Sequence, residues 1–299
     1  MSYNKKKSYF YGILSVLIWS TVASAFKLTL KYLDFLYLLF VSSLTALTIL
    51  FFILILQKKT KFFKNLKTND YIRSLILGFL NPFLYYTVLF KAYSLLKAQE
   101  AQPLNYTWAI VLSILSVIIL KQKIKIWHFI GLIIGFIGVF IIATEGKIKE
   151  LNFKNPFGVF LALSSSIIWA IYWIYNLKDK KDEVLKLFLN FLFGFPFILI
   201  TYLIFSTKTY SLKGILGSIY VGLFEMGITF IFWLKAIKYA ERTSDISILI
   251  YFSPFLSLLF IRMFVGEKIL ISTIIGLLFI IGGVLIQKYD EIKEIFKRN

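Results

Sequence analysis

Residues 131–139 read Gly-Leu-Ile-Ile-Gly-Phe-Ile-Gly-Val, and residues 276–284 read Gly-Leu-Leu-Phe-Ile-Ile-Gly-Gly-Val. A shift of 145 lays Gly131 on Gly276, Gly138 on Gly283 and Val139 on Val284. The same shift pairs Lys123 with Lys268, Gln122 with Glu267 and Tyr106 with Tyr251. A shift of 144 lays Gly78 on Gly222, Lys91 on Lys235 and Ala92 on Ala236. Gly12…Trp19 and Gly158…Trp169 make a looser match. The chain reads as a duplication, with repeats over 1–147 and 148–299.

The repeats are strongly apolar. Hydrophobic residues make up 59% of the chain and charged residues 16%, against about 45–50% and about 25% in soluble proteins. Mean hydropathy is +0.79. That much apolar surface cannot be hidden inside a water-soluble globule of 299 residues, so lipid is the solvent. A helix needs roughly 20 apolar residues to cross a bilayer. Ten such runs occur, near 9–27, 33–56, 73–95, 101–120, 126–144, 157–177, 184–205, 214–235, 244–265 and 269–287. Lys5–Lys7 followed by Ala23-Ser24-Ala25 also has the look of a cleaved leader, but removing it would break the duplication, so the first run is kept as a span. The expected fold class is an all-α polytopic membrane protein of ten transmembrane helices. A repeat of five spans is odd, so the second copy starts on the opposite side. The result is a 5+5 inverted-topology repeat with a site between the halves at the midplane. The Gly131/Gly135 pair suits close helix packing.

The net charge is +19, yet only Arg73, Arg242, Arg262 and Arg298 among the 34 basic residues are arginines. A nucleic-acid site would favour Arg. The lysines sit between apolar runs, and 23 of the 34 basic residues fall on segments that lie inside if the N-terminus is inside. The positive-inside rule then puts both termini in the cytoplasm. There is no cysteine, and His128 is the only histidine, expected at the membrane interface. Disulfides, thiolate chemistry, metal clusters and most histidine relays are excluded. No catalytic residue, metal site or cofactor is expected.

One residue breaks the pattern. Glu225 lies about ten residues from each end of the eighth run, the only carboxylate so deep. An ionisable group at that depth is expensive unless it faces a cavity or a partner, so function is its default reading. It suits proton exchange or the binding of a substrate ammonium; the alternative is a protonated side chain bonded to a neighbouring helix. Its repeat counterpart is Asn81, followed by Pro82. Tyr85, Tyr86 and Thr229 stand a turn beyond. Asn105, Trp108, Tyr251, Trp19 and Trp169 add aromatic walls with polar tips. These ten residues are the candidate substrate-binding set. Lys91, Lys235, Arg242 and Arg262 fall near run ends and are expected to snorkel.

Phe224-Glu225-Met226-Gly227…Trp233-Leu234-Lys235-Ala236, Tyr251-Phe252-Ser253-Pro254, Gly266-Glu267-Lys268 and Gly276…Gly282-Gly283 together resemble the second half of an EamA-type transporter of the drug/metabolite transporter superfamily. Asn105-Tyr106-Thr107-Trp108 and the Gly131…Gly138 run resemble the first half. The resemblance covers nearly the whole chain. It departs at Ala109, where the family pattern has Pro, and at Lys121-Gln122-Lys123, where it has Gly-Glu-Lys. It implies a secondary transporter of small amphipathic metabolites, most of all amino acids, in the bacterial inner membrane. S-adenosylmethionine or another nucleoside-like substrate, and a lipid-flippase activity, are the alternatives. The resemblance thus implies a protein that is no enzyme. Its expected partners are a small-molecule substrate and membrane lipids, with no nucleic acid and with proton coupling left open. A monomer is expected, with a homodimer as the alternative.

Overall fold

The computed structural model describes residues 4–59, 63, 66–119, 126–147, 155–240, 246, 248–289 and 292–293. Among them every regular element is helical. The order is α1 (Lys5–Thr29), α2 (Phe35–Leu56), α3 (Thr68–Gly78), α4 (Tyr85–Leu95), α5 (Ala98–Tyr106), α6 (Trp108–Ile119) and α7 (Ile126–Ala143). It continues with α8 (Pro156–Leu177), α9 (Glu183–Phe205), α10 (Leu212–Phe224), α11 (Ile228–Tyr239), α12 (Ser253–Phe260) and α13 (Ile271–Gln287). Seven helical segments are long and apolar enough to cross a membrane, and 249–265 and 271–287 are shorter apolar helices. The positions Lys121-Gln122-Lys123, Arg242 and Arg298 lie outside the described residues.

Side-chain polarity runs opposite to that of a soluble protein. Ser15, Ser20, Ser42, Ser43, Ser165 and Ser218 are fully buried, while Phe136, Ile204 and Leu56 are exposed by 65%, 65% and 80%. Small hydroxylated residues sit between the helices beside a buried core that includes Leu38, Phe90 and Phe191, while other large apolar side chains face outward.

Local sequence sets the helix starts. The side chains of Asn4, Asp34, Asn155, Asp182 and Ser211 accept backbone N–H groups at the beginnings of α1, α2, α8, α9 and α10, satisfying donors that a helix start leaves free. Two membrane-length segments are broken in the middle. Between α3 and α4 a wide turn at Phe79–Leu84 carries Asn81 in an extended conformation (φ −149°, ψ 118°), followed by Pro82. Between α10 and α11 the chain breaks at Gly227 (φ −117°, ψ −93°), two residues after Glu225. The shift of 144 that aligns Gly78 with Gly222 also aligns the two breaks.

The closest packing is between α7 and α13, which run antiparallel. A Cβ on Gly131 would stand 2.3 Å from the Gly283 carbonyl oxygen, and one on Gly138 would stand 2.4 Å from that of Gly276. Elsewhere contacts come in matched pairs: α1 on α11 and α8 on α4, α2 on α10 and α9 on α3, α1 on α12 and α8 on α5 and α6. Hydrogen bonds follow suit. Ser20 Oγ donates to Ser253 Oγ (3.3 Å) and Thr107 Oγ1 donates to Ser166 Oγ (3.0 Å), the same pair displaced by 146. That displacement aligns Gly12 with Gly158 but lays Trp19 on Ser165, so the two tryptophans are not repeat equivalents. Lys91 Nζ lies 5.0 Å from the Phe35 ring centre and Lys235 Nζ lies 5.3 Å from that of Tyr11. Both repeat-paired lysines keep their charge on an aromatic face.

The α1–α2 turn is tied to the end of α9 by Asp34, which accepts from Ser206 Oγ (2.7 Å), Thr207 Oγ1 (2.9 Å) and Thr207 N (3.2 Å). Burial acts to raise the Asp34 pKa, but the bonds from Ser206, Tyr37, Thr207 and Leu36 outweigh it and hold the carboxyl below its ordinary 3.8. A depressed carboxyl stabilises the fold above its unfolded-state pKa, and that contribution is lost as pH falls through the folded value. Asp34→Asn is therefore expected to flatten the loss of thermal stability below about pH 4, measured by melting in detergent across that range. The glycine seam makes a second, internally controlled prediction. Gly131→Ala should destabilise by about 1–3 kcal/mol through overpacking. Gly282→Ala, with nothing within 4 Å of its Cβ, should be neutral or stabilise by up to about 1 kcal/mol. The reverse order in melting temperature would remove the seam from the packing scheme.

Candidate functional site

A cavity of about 480 Å³ lies among α1, α4, α5, α6, α8 and α11. On its wall stands Glu225, the residue that ends α10, two positions before the break at Gly227. Glu225 is half-buried, and it is a lining residue. Its Oε1 accepts the Tyr86 hydroxyl at 3.1 Å. A helix interrupted at membrane depth is tolerated where the freed backbone is buried or borders a cavity. Here Thr229 Oγ1 covers the freed Phe224 carbonyl.

From Glu225 an unbroken series of rings leads around the wall. Tyr86 meets Tyr85 edge-on at 4.7 Å, and Tyr85 meets Trp169 at 4.7 Å. Trp169 stacks on Trp173 at 5.7 Å and reaches Phe230 at 6.2 Å. Phe230 meets Trp19 at 5.4 Å, and Trp19 meets Trp233 at 5.6 Å. Polar tips are few. Asn105 Nδ2 donates to Ser165 Oγ (2.8 Å), and Tyr85 Oη donates to Asn105 Oδ1 (3.4 Å). Gln102 Oε1 accepts the Ser257 hydroxyl.

Seven of the ten residues expected from sequence line this cavity: Glu225, Tyr85, Asn105, Trp108, Tyr251, Trp19 and Trp169. Tyr86 is buried behind the wall and acts on Glu225 through its hydroxyl. Thr229 is fully buried and bonded to Phe224. Asn81 is 2% exposed and is not among the lining residues; its turn packs on α8 and α9. His128, expected at the interface, stands on the cavity rim with Gln287 and Lys288. Phe26, Tyr93, Trp173, Phe230 and Trp233 line the cavity without having been singled out. Helical spacing could have found two of them, since Trp173 lies one turn from Trp169 and Trp233 lies three residues after Phe230.

Comparison with known proteins gives the fold a family. The description "EamA-like transporter family" matches residues 6–144 and again 156–287. The chain belongs to the EamA-like transporter family. It is 26% identical over 97% of its length to an "uncharacterized transporter" of Clostridium kluyveri, and covers 97% of that protein. It is 23% identical over 80% of its length to the uncharacterized transporter YoaV of Bacillus subtilis, covering 82% of it. A solved crystal structure aligns with 95% of this chain and 96% of its own at a TM-score of 0.65 and 18% identity, which shows a shared fold. This EamA-like protein is a multi-pass membrane transporter rather than an enzyme.

In this EamA-like transporter the cavity lining reaches helix ends at His128, Gln287 and Lys288. There Gln287 Nε2 donates to the His128 carbonyl (3.1 Å) where α13 ends and α7 begins. Before the other end of α13, Glu267 reaches across to cap α5, its carboxylate accepting Ala98 N (2.8 Å) and Gln99 N (3.1 Å). Gly266, in the left-handed region at φ +79°, makes that turn possible without a Cβ penalty. Gln99 returns the contact, donating to the Lys268 carbonyl (2.9 Å) and accepting from Leu270 N (2.8 Å). Lys27 donates to the carbonyls of Tyr93 (2.9 Å) and Leu96 (2.6 Å), closing α1 onto the end of α4. A carboxylate on a helix N-terminus gains from the aligned peptide dipoles, so a neutral amide there holds less tightly. Glu267→Gln should loosen this end. The cysteine-free chain offers a direct reading through Leu89→Cys on the cavity wall. An impermeant thiol reagent applied from the Glu267 side should label it several-fold faster in the Glu267→Gln background, and equal rates would show that the cap does not restrict access from that side.

Proposed function

We propose that this protein is a ten-span secondary transporter of the bacterial inner membrane, with both termini cytoplasmic, that moves small amphipathic metabolites by alternating access. The observation that carries this reading is one carboxylate, Glu225, on the wall of a cavity lined mainly by aromatic and apolar side chains. Amino acids are the substrate class the family resemblance favours. Cavities of about 300–1,000 Å³ with mostly apolar walls and a few placed polar groups suit small ligands, and the 480 Å³ found falls in that range.

Two inverted halves, 1–147 and 148–299, account for the matched contacts. If residue 131 corresponds to 276 and 138 to 283, exchanging the halves turns the Gly131–Gly283 contact into Gly276–Gly138, which is also present. A contact that maps onto itself in this way marks a two-fold relation. Because α7 and α13 run antiparallel, that axis crosses the helices rather than following them, the arrangement of an inverted repeat. The double match of the family description is a second support. With the N-terminus inside, the rim at His128, Gln287 and Lys288 faces the cytoplasm and the Glu267 end faces out.

A substrate shifts the balance between inward and outward states only through its differential affinity for the two. The polar anchor is therefore the residue to test. In proteoliposomes, Glu225→Gln is expected to abolish the pH dependence of amino-acid flux and to cut the flux itself. Wild-type flux with an unchanged pH profile would remove Glu225 from the mechanism.

A further inference from the structure

The transporter reading leaves open which part of a substrate the cavity recognises, and the distribution of charge on its walls answers that. Among the described lining residues, Glu225 is the only acidic group, and Lys288 and His128, the basic candidates, stand on the rim. Lys27, the next cation, is committed to the carbonyls of Tyr93 and Leu96. Backbone donors give no alternative: Gly227, at the start of α11, is buried, and a Cβ there would lie 2.9 Å from the Ile49 side chain. Asn105 Nδ2 already donates to Ser165. Away from the rim, a carboxylate or phosphate on this wall would meet neutral polar groups only, Gln102 and the indoles among them, with no cation to balance its charge, and burying an unbalanced anion is costly.

The same walls suit a cation well. Trp19, Trp169, Trp173, Phe230 and Trp233 offer ring faces within one connected set, and tryptophan is the best aromatic partner of an ammonium group. Glu225, on the same wall, supplies the counter-charge. We propose that the cavity selects organic monocations, amines or quaternary ammonium compounds with an apolar or aromatic body, and discriminates against zwitterionic amino acids. This rests on the transporter reading and narrows it, making the substrate's ammonium the recognised group.

The test is binding to the purified full chain in detergent, followed by thermal shift and titration calorimetry. The probes are phenethylamine, L-phenylalanine and phenylacetate, which share a phenyl ring and differ in charge, with tetraethylammonium as a cation that cannot donate a hydrogen bond. Phenethylamine should bind about tenfold or more tighter than L-phenylalanine, a difference of about 1.4 kcal/mol. Tetraethylammonium should bind, and phenylacetate should not. Glu225→Gln should remove the preference, Glu225→Asp should keep its sign, and Trp169→Phe should retain more affinity than Trp169→Ala. L-phenylalanine binding as tightly as phenethylamine would overturn the proposal, and so would a preference that survives Glu225→Gln in a monodisperse variant. Amino-acid flux in proteoliposomes without amine binding would likewise overturn the cation proposal while leaving the transporter reading intact.

Discussion

Lipid provides no hydrophobic force to press helices together, so the molecule depends on how closely its backbones can approach. The tightest approach is the α7–α13 seam, where the Gly131 and Gly283 backbones touch and those of Gly138 and Gly276 touch again further along. A side chain at any of these four positions would force the helices apart. Two helices locked backbone to backbone make a fixed post, and α5 and α6 pack against both of them. The remaining broken helices are then free to differ in how they enclose the cavity.

Those breaks are the second consequence of the solvent. A membrane helix can unwind only where its freed polar groups meet protein or a cavity. The chain unwinds at Asn81 and again at Gly227, which the shift of 144 brings within two positions of each other. Each break brings a polar side chain into the protein interior that an intact helix would have to hold against a neighbour. At Gly227 it is Glu225, and it faces the cavity. At Asn81 it is an amide, and the cavity lies on the other side of Tyr85 and Tyr86.

Much of this was legible in the sequence because it depends on residues that recur. Gly131 and Gly276 mark the two helices of the seam, and the long apolar runs mark helices long enough to span. Glu225 stood out because a carboxylate so far from either end of a span has few bland explanations. What the sequence could not resolve was facing. Asn81 and Thr229 lie close in sequence to cavity residues yet point into helix contacts, and pairing Trp19 with Trp169 was off register by four residues. Periodicity places a residue on a helix face, but only packing decides whether that face meets lipid, a neighbouring helix or the cavity. Aromatic abundance hid Trp173 and Trp233 for the same reason: with 32 Phe and 18 Tyr in the chain, a ring alone carries little information.

The two breaks are asymmetric. The shift of 144 puts Asn81 and Glu225 at equivalent positions in sequence. This chain charges only one. Asn81 is buried where its turn packs on α8 and α9, whereas Glu225 is the sole acid on the described walls. The rings around it come from both halves, Trp19 and Tyr85 from the first, Trp169, Phe230 and Trp233 from the second. The charge itself joins distant parts of the chain: Glu225 Oε1 accepts the Tyr86 hydroxyl, 139 positions earlier in sequence, so the one acid on the described walls is held by the helix that also carries Tyr85.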